Sequence, residues 1–393
     1  MIRVTDSVKR IETFIVTLER DTPYLGPLAP GETVNSRGYI VRRGNGTIYP
    51  TVDRSVIVRI ETHGGLVGYG ETYGICAPRA VCEIINDLLA PVVLGRNPME
   101  AEAIWDELYD LMRVRGFFGG FYLDAIAAID IGLWDIAGKA TGLPLHALLG
   151  GARRQTVPAY VSGLPAEKLE DRVAMAQRWL AQGFSAVKFA AVVSHQGIVT
   201  EMAALREALG SDASIMADLH WMFTAPEAID LIRRLEPYRP AFVEAPVKPE
   251  DVAGLAEVAQ RSSIPIAAGE EWRTVHDALP RLNSRAVAVV QPEMAHTGVT
   301  QFKRITHLAQ SVHLPIAPHA TIGVGIFLAA SLHAASAAPR IIAHEYQHSI
   351  FDRIAPLMNG VLKCENGAYT VPTGTGHGVE PGDEIWKKAE LVS

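Results

Sequence analysis

Apolar and polar residues alternate along the first sixty or so positions of the chain. IETFIVTLE (11–19) and SVIVRIET (55–62) place apolar side chains at nearly every second position, and the turn HGG leads into LVGYGET (66–72). Period two predicts strands with one buried face. Residues 21–53 are instead rich in Pro, Gly and Asn, a loop long enough to be functional rather than a mere connection. The period then lengthens to that of helices over 79–93, 98–115 and 121–141, the last carrying an apolar stripe that stops at Gly142. After Gly151 a unit of short apolar strand, polar break and amphipathic helix repeats. Its strands are TVPAYVSG (156–163), SAVKFA (185–190), SIMADLH (214–220), AFVEAP (241–246), PIAAGE (265–270), AVAVVQPE (286–293), LPIAPHA (314–320) and IIAHEYQ (341–347). Eight strands spaced by roughly 21 to 30 residues predict an α/β fold closed into a (β/α) barrel. From about Asn359 turn-and-strand texture returns, and this tail is expected to pack back on the N-terminal domain.

Charged side chains punctuate those strands at one register. Lys188, Asp218 with His220, Glu244, Glu270, Glu293, His319 and Glu345 all stand at C-terminal strand ends, the rim on which barrel enzymes carry their chemistry. Asp218, Glu244 and Glu270 lie on consecutive strands. Three converging carboxylates repel one another unless a cation holds them, and within these strands only Lys188 is basic and long enough to pair with them. Oxygen-only ligands select a hard ion, and a site with room for water and substrate suits Mg²⁺. Glu293 and His319 end neighbouring strands. A carboxylate on one ring nitrogen fixes the tautomer and raises the basicity of the other, the arrangement of a general base.

Composition narrows the classes of function. The 393 residues are 48% hydrophobic and 20% charged with a net charge of −7, which argues against nucleic acid as the main partner. Cys76, Cys82 and Cys364 fit neither a zinc nor a disulfide framework, so a reduced, cytoplasmic setting is expected. No apolar run approaches the ~18 residues of a membrane span.

Taken in order, DAIAAIDIGLWDIAGKATGLPLHALLGG, AVKF, ADLH, FVEAP, AAGE, QPE and APHA resemble the enolase superfamily, mandelate racemase subgroup. The resemblance spans nearly the whole chain. It implies a modified TIM barrel, (β/α)₇β, over residues 126–358. An α+β capping domain would be built from 1–125, with the C-terminal segment 359–393 packing back on it. It implies Mg²⁺ on Asp218, Glu244 and Glu270, a His319–Glu293 dyad as base and Glu345 as an electrophilic group. The shared chemistry is removal of a proton α to a carboxylate, and Lys188 and protonated Glu345 would donate to the developing charge. A small-molecule acid is the expected partner and a homo-oligomer the expected assembly.

Departures from the subgroup pattern narrow the reaction. Its racemases carry Lys-x-Lys on the second strand, where this chain reads Lys188-Phe189-Ala190; alanine accepts no proton. Sugar-acid dehydratases of the galactonate dehydratase type share both that absence and Asp-x-His on the third strand. His220 would then protonate the departing 3-hydroxyl, giving a 2-keto-3-deoxy sugar acid from an aldonate or aldarate. The alternative is an epimerase, racemase or cycloisomerase working through the same enediolate. Glu293 replaces the usual Asp and Ala245 a commonly acidic residue. The 21–53 loop and the segment Gly70 to Arg79 are expected to form a lid, with Tyr24, Arg37, Arg42 and Arg43 as candidate substrate contacts. Trp272 is a candidate pocket wall. His296, His313, His344 and His348 are read as structural or solvent-facing.

Overall fold

The computed structural model describes residues 6–320 and 323–392. Its N-terminal sheet is antiparallel: β1 (Val8–Leu18), β4 (Asp53–Thr62) and β5 (Val67–Tyr73) run as a meander. A short hairpin, β2 (Tyr39–Val41) and β3 (Ile48–Pro50), folds separately inside the long loop. Val56, Val58 and Ile60 pack from one face of the sheet into a core with Ile104, Trp105 and Leu108 of helix Ala101–Arg113.

Helix Gly120–Thr141 lies against the same sheet, and nearly all of its first five turns are buried. Its approach to β5 is so close that a Cβ on Gly70 would meet the Ala128 carbonyl oxygen at 1.8 Å, which explains a glycine in mid-strand. The helix ends where the sequence predicts, on Gly142 at φ 70, whose N–H turns back to the carbonyls of Gly138 and Lys139. This helix runs unbroken through 125–126 and also packs against helix Met294–Ser311. The helix belongs to both units.

The barrel follows in parallel register: β6 (Thr156–Ser162), β7 (Ala186–Ala190), β8 (Ser214–Asp218), β9 (Val243–Glu244), β10 (Ile266–Ala268) and β11 (Val289–Val290). The expected strand at 314–320 is reduced to isolated bridges, Val290 to Ile316 and Glu293 to His319. Pro315 and Pro318 supply no N–H, so a continuous ladder cannot form there. Ile316 bridges on to Ile341, and β12 (His344–Tyr346) pairs with β6 to close the ring. Tyr160, Ala186, Met216, Phe242, Ala267, Val289, Ala317 and Ala343 form a separate buried cluster, one from each of the eight barrel positions, that plugs the barrel beneath its rim.

The C-terminal tail divides between the two units instead of returning wholly to the first. β13 (Met358–Gly360) pairs with β16 (Val379–Pro381). Hairpin β14 (Lys363–Glu365) and β15 (Ala368–Thr370) joins the edge of β6. Only β17 (Ala389–Val392) reaches β1. The cap is fixed to the barrel by Glu71 on β5. Its buried carboxylate accepts from Ser55 Oγ at 2.5 Å and from the N–H groups of Ile326 (2.8 Å) and Phe327 (3.1 Å), at the start of helix Ile326–Ala337.

Candidate active site

A cavity of about 330 Å³ opens at the C-terminal ends of the barrel strands, and every charged side chain expected on the rim reaches it or backs a residue that does. The barrel contributes Lys188, Asp218, His220, Glu270, His319 and Glu345 to the lining, while Glu244 and Glu293 stand behind them. The strand ends place these groups together because parallel pairing sets Asp218 level with Glu244 and Ala190 level with Asp218.

Lys188 Nζ lies 2.7 Å from Glu244 Oε2 and 3.2 Å from Glu345 Oε1. Glu244 Oε1 is buried and has no hydrogen-bond partner among the described residues. Burial pushes the Glu244 carboxyl up to about 8; Lys188 opposes this, and the negative charges of Asp218, Glu270 and Glu345 add to it. Ligand atoms of Glu244, Glu270 and His319 lie within 4.8 Å of one another. Asp218 stays outside that tight group because its Oδ1 accepts from the His220 backbone N–H at 2.9 Å and lies 3.1 Å from His220 Nδ1. A buried carboxylate oxygen without a donor, beside two further carboxylates, fits a hard divalent cation such as Mg²⁺.

Both histidines are drawn toward the charged form. Burial opposes the charge on His220, but Asp218 outweighs it and raises the imidazole to about 9. His319 is likewise raised against burial by Glu270, Glu345 and Glu293, and in return holds Glu270 well below the usual carboxylate range. Its Nδ1 is 2.7 Å from Glu293 Oε2 and its Nε2 is 2.7 Å from Glu270 Oε2. The longer Glu293 is accommodated: Oε2 also accepts from the Tyr73 hydroxyl at 2.8 Å and Oε1 from the Ala295 N–H at 2.9 Å. A strand of the cap therefore helps to fix a carboxylate of the barrel.

The turn after β8 is conformationally costly. His220 and Trp221 adopt φ 48 and 54, and Ala245, just after β9, φ 46. Left-handed backbone at residues other than glycine is uncommon and concentrates at functional sites. Hydrogen bonds from Leu219 N to Glu244 O and from Trp221 N to Ala245 O hold the two turns together.

The long loop closes over the mouth, with Tyr24, Leu25, Thr47, Ile48 and Tyr49 in the lining and the two tyrosine rings 5.7 Å apart. Two expected substrate contacts are corrected. Arg42 is 2% exposed and lies outside the cavity; its guanidinium donates to Glu32 (2.8 Å) and to the carbonyls of Tyr24, Gly26 and Pro27. It staples the loop into shape. Trp272 is fully buried in the barrel core, its Nε1 donating to Glu271 Oε1 at 3.0 Å, because the chain turns inward just after Glu270. Arg37 and Arg43 are also absent from the lining. Of the segment 70–79, Gly70 to Tyr73 are strand, and Tyr73, Ile75 and Cys76 reach the cavity.

Sequence reasoning missed several polar groups in the wall, Asp124, Glu271, Arg273 and Gln347 among them, and His296, read as structural or solvent-facing, lines the cavity as well. Asp124, from the helix that joins the two units, lies 2.7 Å from His296 Nδ1 and 2.9 Å from Arg273 Nε. The available signal was three acids, Asp124, Asp130 and Asp135, on a largely apolar helix, since a buried Asp needs partners. His344 and His348 remain structural, bonded to Ser331 and to the Gly163 carbonyl.

Residues 47–150 match the mandelate racemase/muconate lactonizing enzyme N-terminal domain, and residues 171–385 match the enolase C-terminal domain-like family. The chain is 33% identical to a D-galactarolactone cycloisomerase from Agrobacterium fabrum, over 83% of this chain and 88% of that protein. It is 32% identical to a D-galactonate dehydratase from Pectobacterium atrosepticum, over 82% and 86%. A putative isomerase from Sinorhizobium meliloti superposes with a TM-score of 0.97 at 56% identity, covering 98% of this chain and 100% of that one. A racemase from Streptomyces coelicolor with bound magnesium superposes at 0.84 with 25% identity, covering 98% and 100%.

Proposed function

The chain belongs to the mandelate racemase/muconate lactonizing enzyme family of the enolase superfamily, and from that premise we propose that it eliminates water from a sugar acid. Removal of the α-proton would be followed by loss of the 3-hydroxyl, leaving a 2-keto-3-deoxy acid. The observation that carries this reading is a pair: Ala190 where a second base would stand, and His220 held beside Asp218 in the same cavity.

His319 is the base, taking the proton at Nε2; this needs the neutral imidazole, which it would have once Glu270, the carboxylate 2.7 Å from Nε2, is given over to Mg²⁺. Glu293 on Nδ1 fixes the tautomer and steadies the imidazolium, and the Tyr73 hydroxyl and Ala295 N–H keep Glu293 in place. Asp218, Glu244 and Glu270 would hold Mg²⁺, which supplies the positive charge that makes an α-proton beside a carboxylate acidic enough to remove. Lys188, anchored between Glu244 and Glu345, donates to the substrate carboxylate. His220, whose Nδ1 lies 3.1 Å from Asp218 Oδ1, delivers its proton to the departing oxygen. The Tyr24–Tyr49 lid excludes water while the enediolate exists.

A second reading keeps the same two histidines. If the oxygen at the β-position belongs to a ring, its expulsion opens the ring and the product is an isomer. The similarity to a cycloisomerase and to a putative isomerase supports it. Incubation with Mg²⁺ and a panel of aldonates, aldarates and their lactones in D₂O separates the two. Loss of water with a 2-keto product supports dehydration, and unchanged composition with deuterium incorporation supports the isomerase. No conversion and no exchange across the panel refutes both.

A further inference from the structure

The polar cluster in the cavity wall has no part in the chemistry above, and it bears on which sugar acids fit. Asp124, Arg273 and His296 come from three separate elements: the joining helix, the loop after β10 and the first turn of helix Met294–Ser311. All three line the cavity. Around them the wall is largely apolar or aromatic, with Tyr73, Ile75, Phe121 and Ile48.

Among the described residues lining the cavity, Lys188 and Arg273 are the only Lys or Arg side chains. Lys188 is committed to Glu244 and Glu345 at the reacting end. Arg273 is the one basic group left to meet the far end of a substrate, and its charge is already spent. Nε lies 2.9 Å from Asp124 Oδ1 and Nη2 3.3 Å from Oδ2, so the side-on fork that would clasp a carboxylate is occupied. Nη1 donates to the Glu271 carbonyl at 3.0 Å. His296 commits Nδ1 to Asp124. Asp124 is 3% exposed, so the pair is not a loose surface contact.

A second substrate carboxylate entering here would lose its hydration and find no free cation to replace it. A hydroxyl carries no charge and loses little, because the donors and acceptors that Asp124 leaves free can still hydrogen-bond it. We propose that Asp124, Arg273 and His296 form a charge-neutral subsite for the distal hydroxyls of the substrate, restricting the enzyme to sugar acids with a single carboxylate. The subsite deepens the functional reading above and rests on it, in that it assumes a sugar acid whose carboxylate lies at the Lys188 end.

The test compares matched six-carbon acids that differ only at C6, CH₂OH in the aldonate and COO⁻ in the aldarate. Affinity by calorimetry with Mg²⁺ is read alongside turnover. The wild-type protein is expected to bind the aldonate at least ~10-fold more tightly, a difference the size of one charged hydrogen bond. Equal or tighter binding of the aldarate overturns the proposal. Asp124→Asn frees the guanidinium and should shift the aldarate-to-aldonate affinity ratio by on the order of 10- to 100-fold toward the aldarate. An unchanged ratio in a folded variant overturns it. Should that variant fail to fold, Arg273→Gln decides. It is expected to keep the aldonate preference while binding the aldonate a few-fold more weakly, and loss of the preference or tighter aldonate binding refutes the subsite. If neither acid is converted yet the aldonate preference holds, the assigned reaction is wrong and the subsite stands.

Discussion

Replacing His220 by Asn separates the two proton transfers assigned to this cavity. The position is at φ 48, and asparagine is among the few residues that tolerate left-handed backbone, so the substitution leaves the turn intact. Its amide can also donate toward Asp218 Oδ1, now 3.1 Å from His220 Nδ1. What it cannot do is release a proton to a departing oxygen. General acid catalysis contributes about 10²- to 10⁴-fold, or roughly 3 to 5 kcal/mol of barrier at 25 °C. The variant should therefore form product that much more slowly. It should still exchange the substrate α-proton with D₂O within about five-fold of the wild-type rate, a ~1 kcal/mol margin for altered packing. ¹H NMR in D₂O follows exchange, and a 2-keto acid assay follows product from the same tube. Exchange falling in parallel with product refutes the separate acid role, because His220 would then act in the first step. Product formation at the wild-type rate refutes it from the other side.

Three further outcomes follow from the geometry. Arg42→Ala strips four hydrogen bonds from the lid and leaves Glu32 with only the Ala29 and Arg43 backbone N–H groups, a disruption of about 2–4 kcal/mol. Proteolysis between residues 20 and 50 should accelerate and KM rise with the barrel's unfolding midpoint unchanged; a protected loop contradicts the staple. Mg²⁺ at 100 times its Kd should stabilise the protein by about 2.7 kcal/mol in thermal unfolding. Chelator should reverse the gain and Glu244→Gln remove most of it, whereas no shift in the wild-type protein contradicts the carboxylate site. His333 is held neutral in the fold, its pKa lowered to about 3 by burial and by His146 and His377. Its unfolded form takes up a proton below about pH 6.5, so the contribution to stability is lost as pH falls through that value, about 2 kcal/mol by pH 5. His333→Gln should shrink the pH 7 to pH 5 loss by that amount in urea unfolding, and an unchanged loss contradicts the assignment.

The rim was legible because a barrel repeats its register: a charged residue ending an apolar run reads the same way on every strand, and Lys188, Asp218, Glu244, Glu270 and Glu345 needed no knowledge of distant contacts. The His319–Glu293 pair was legible for the same reason, although the support of Tyr73 was not, since it crosses from the cap over 220 positions of sequence. Arg42 and Trp272 failed in the opposite sense. Each carries a side chain fit for a pocket, but burial is decided by where the chain turns next: Arg42 folds under its own loop, and Trp272 enters the core. Asp124 and His296 escaped because their partners lie on other elements, 149 and 172 positions apart for the two Asp124 contacts. The tail divides because its hairpin pairs with residues 156–158 of β6, ahead of the stretch that β12 occupies, while only its last strand reaches β1.

Removal of an α-proton by His319 is the step on which the rest depends. With Mg²⁺ and an accepted sugar acid in D₂O, the wild-type protein should exchange or consume the α-proton at a rate that His319→Asn lowers by about 10²- to 10⁴-fold. Binding of the same acid, followed by calorimetry, should persist in the variant. Exchange by His319→Asn at the wild-type rate would contradict the assignment of the base and, with it, the mechanism.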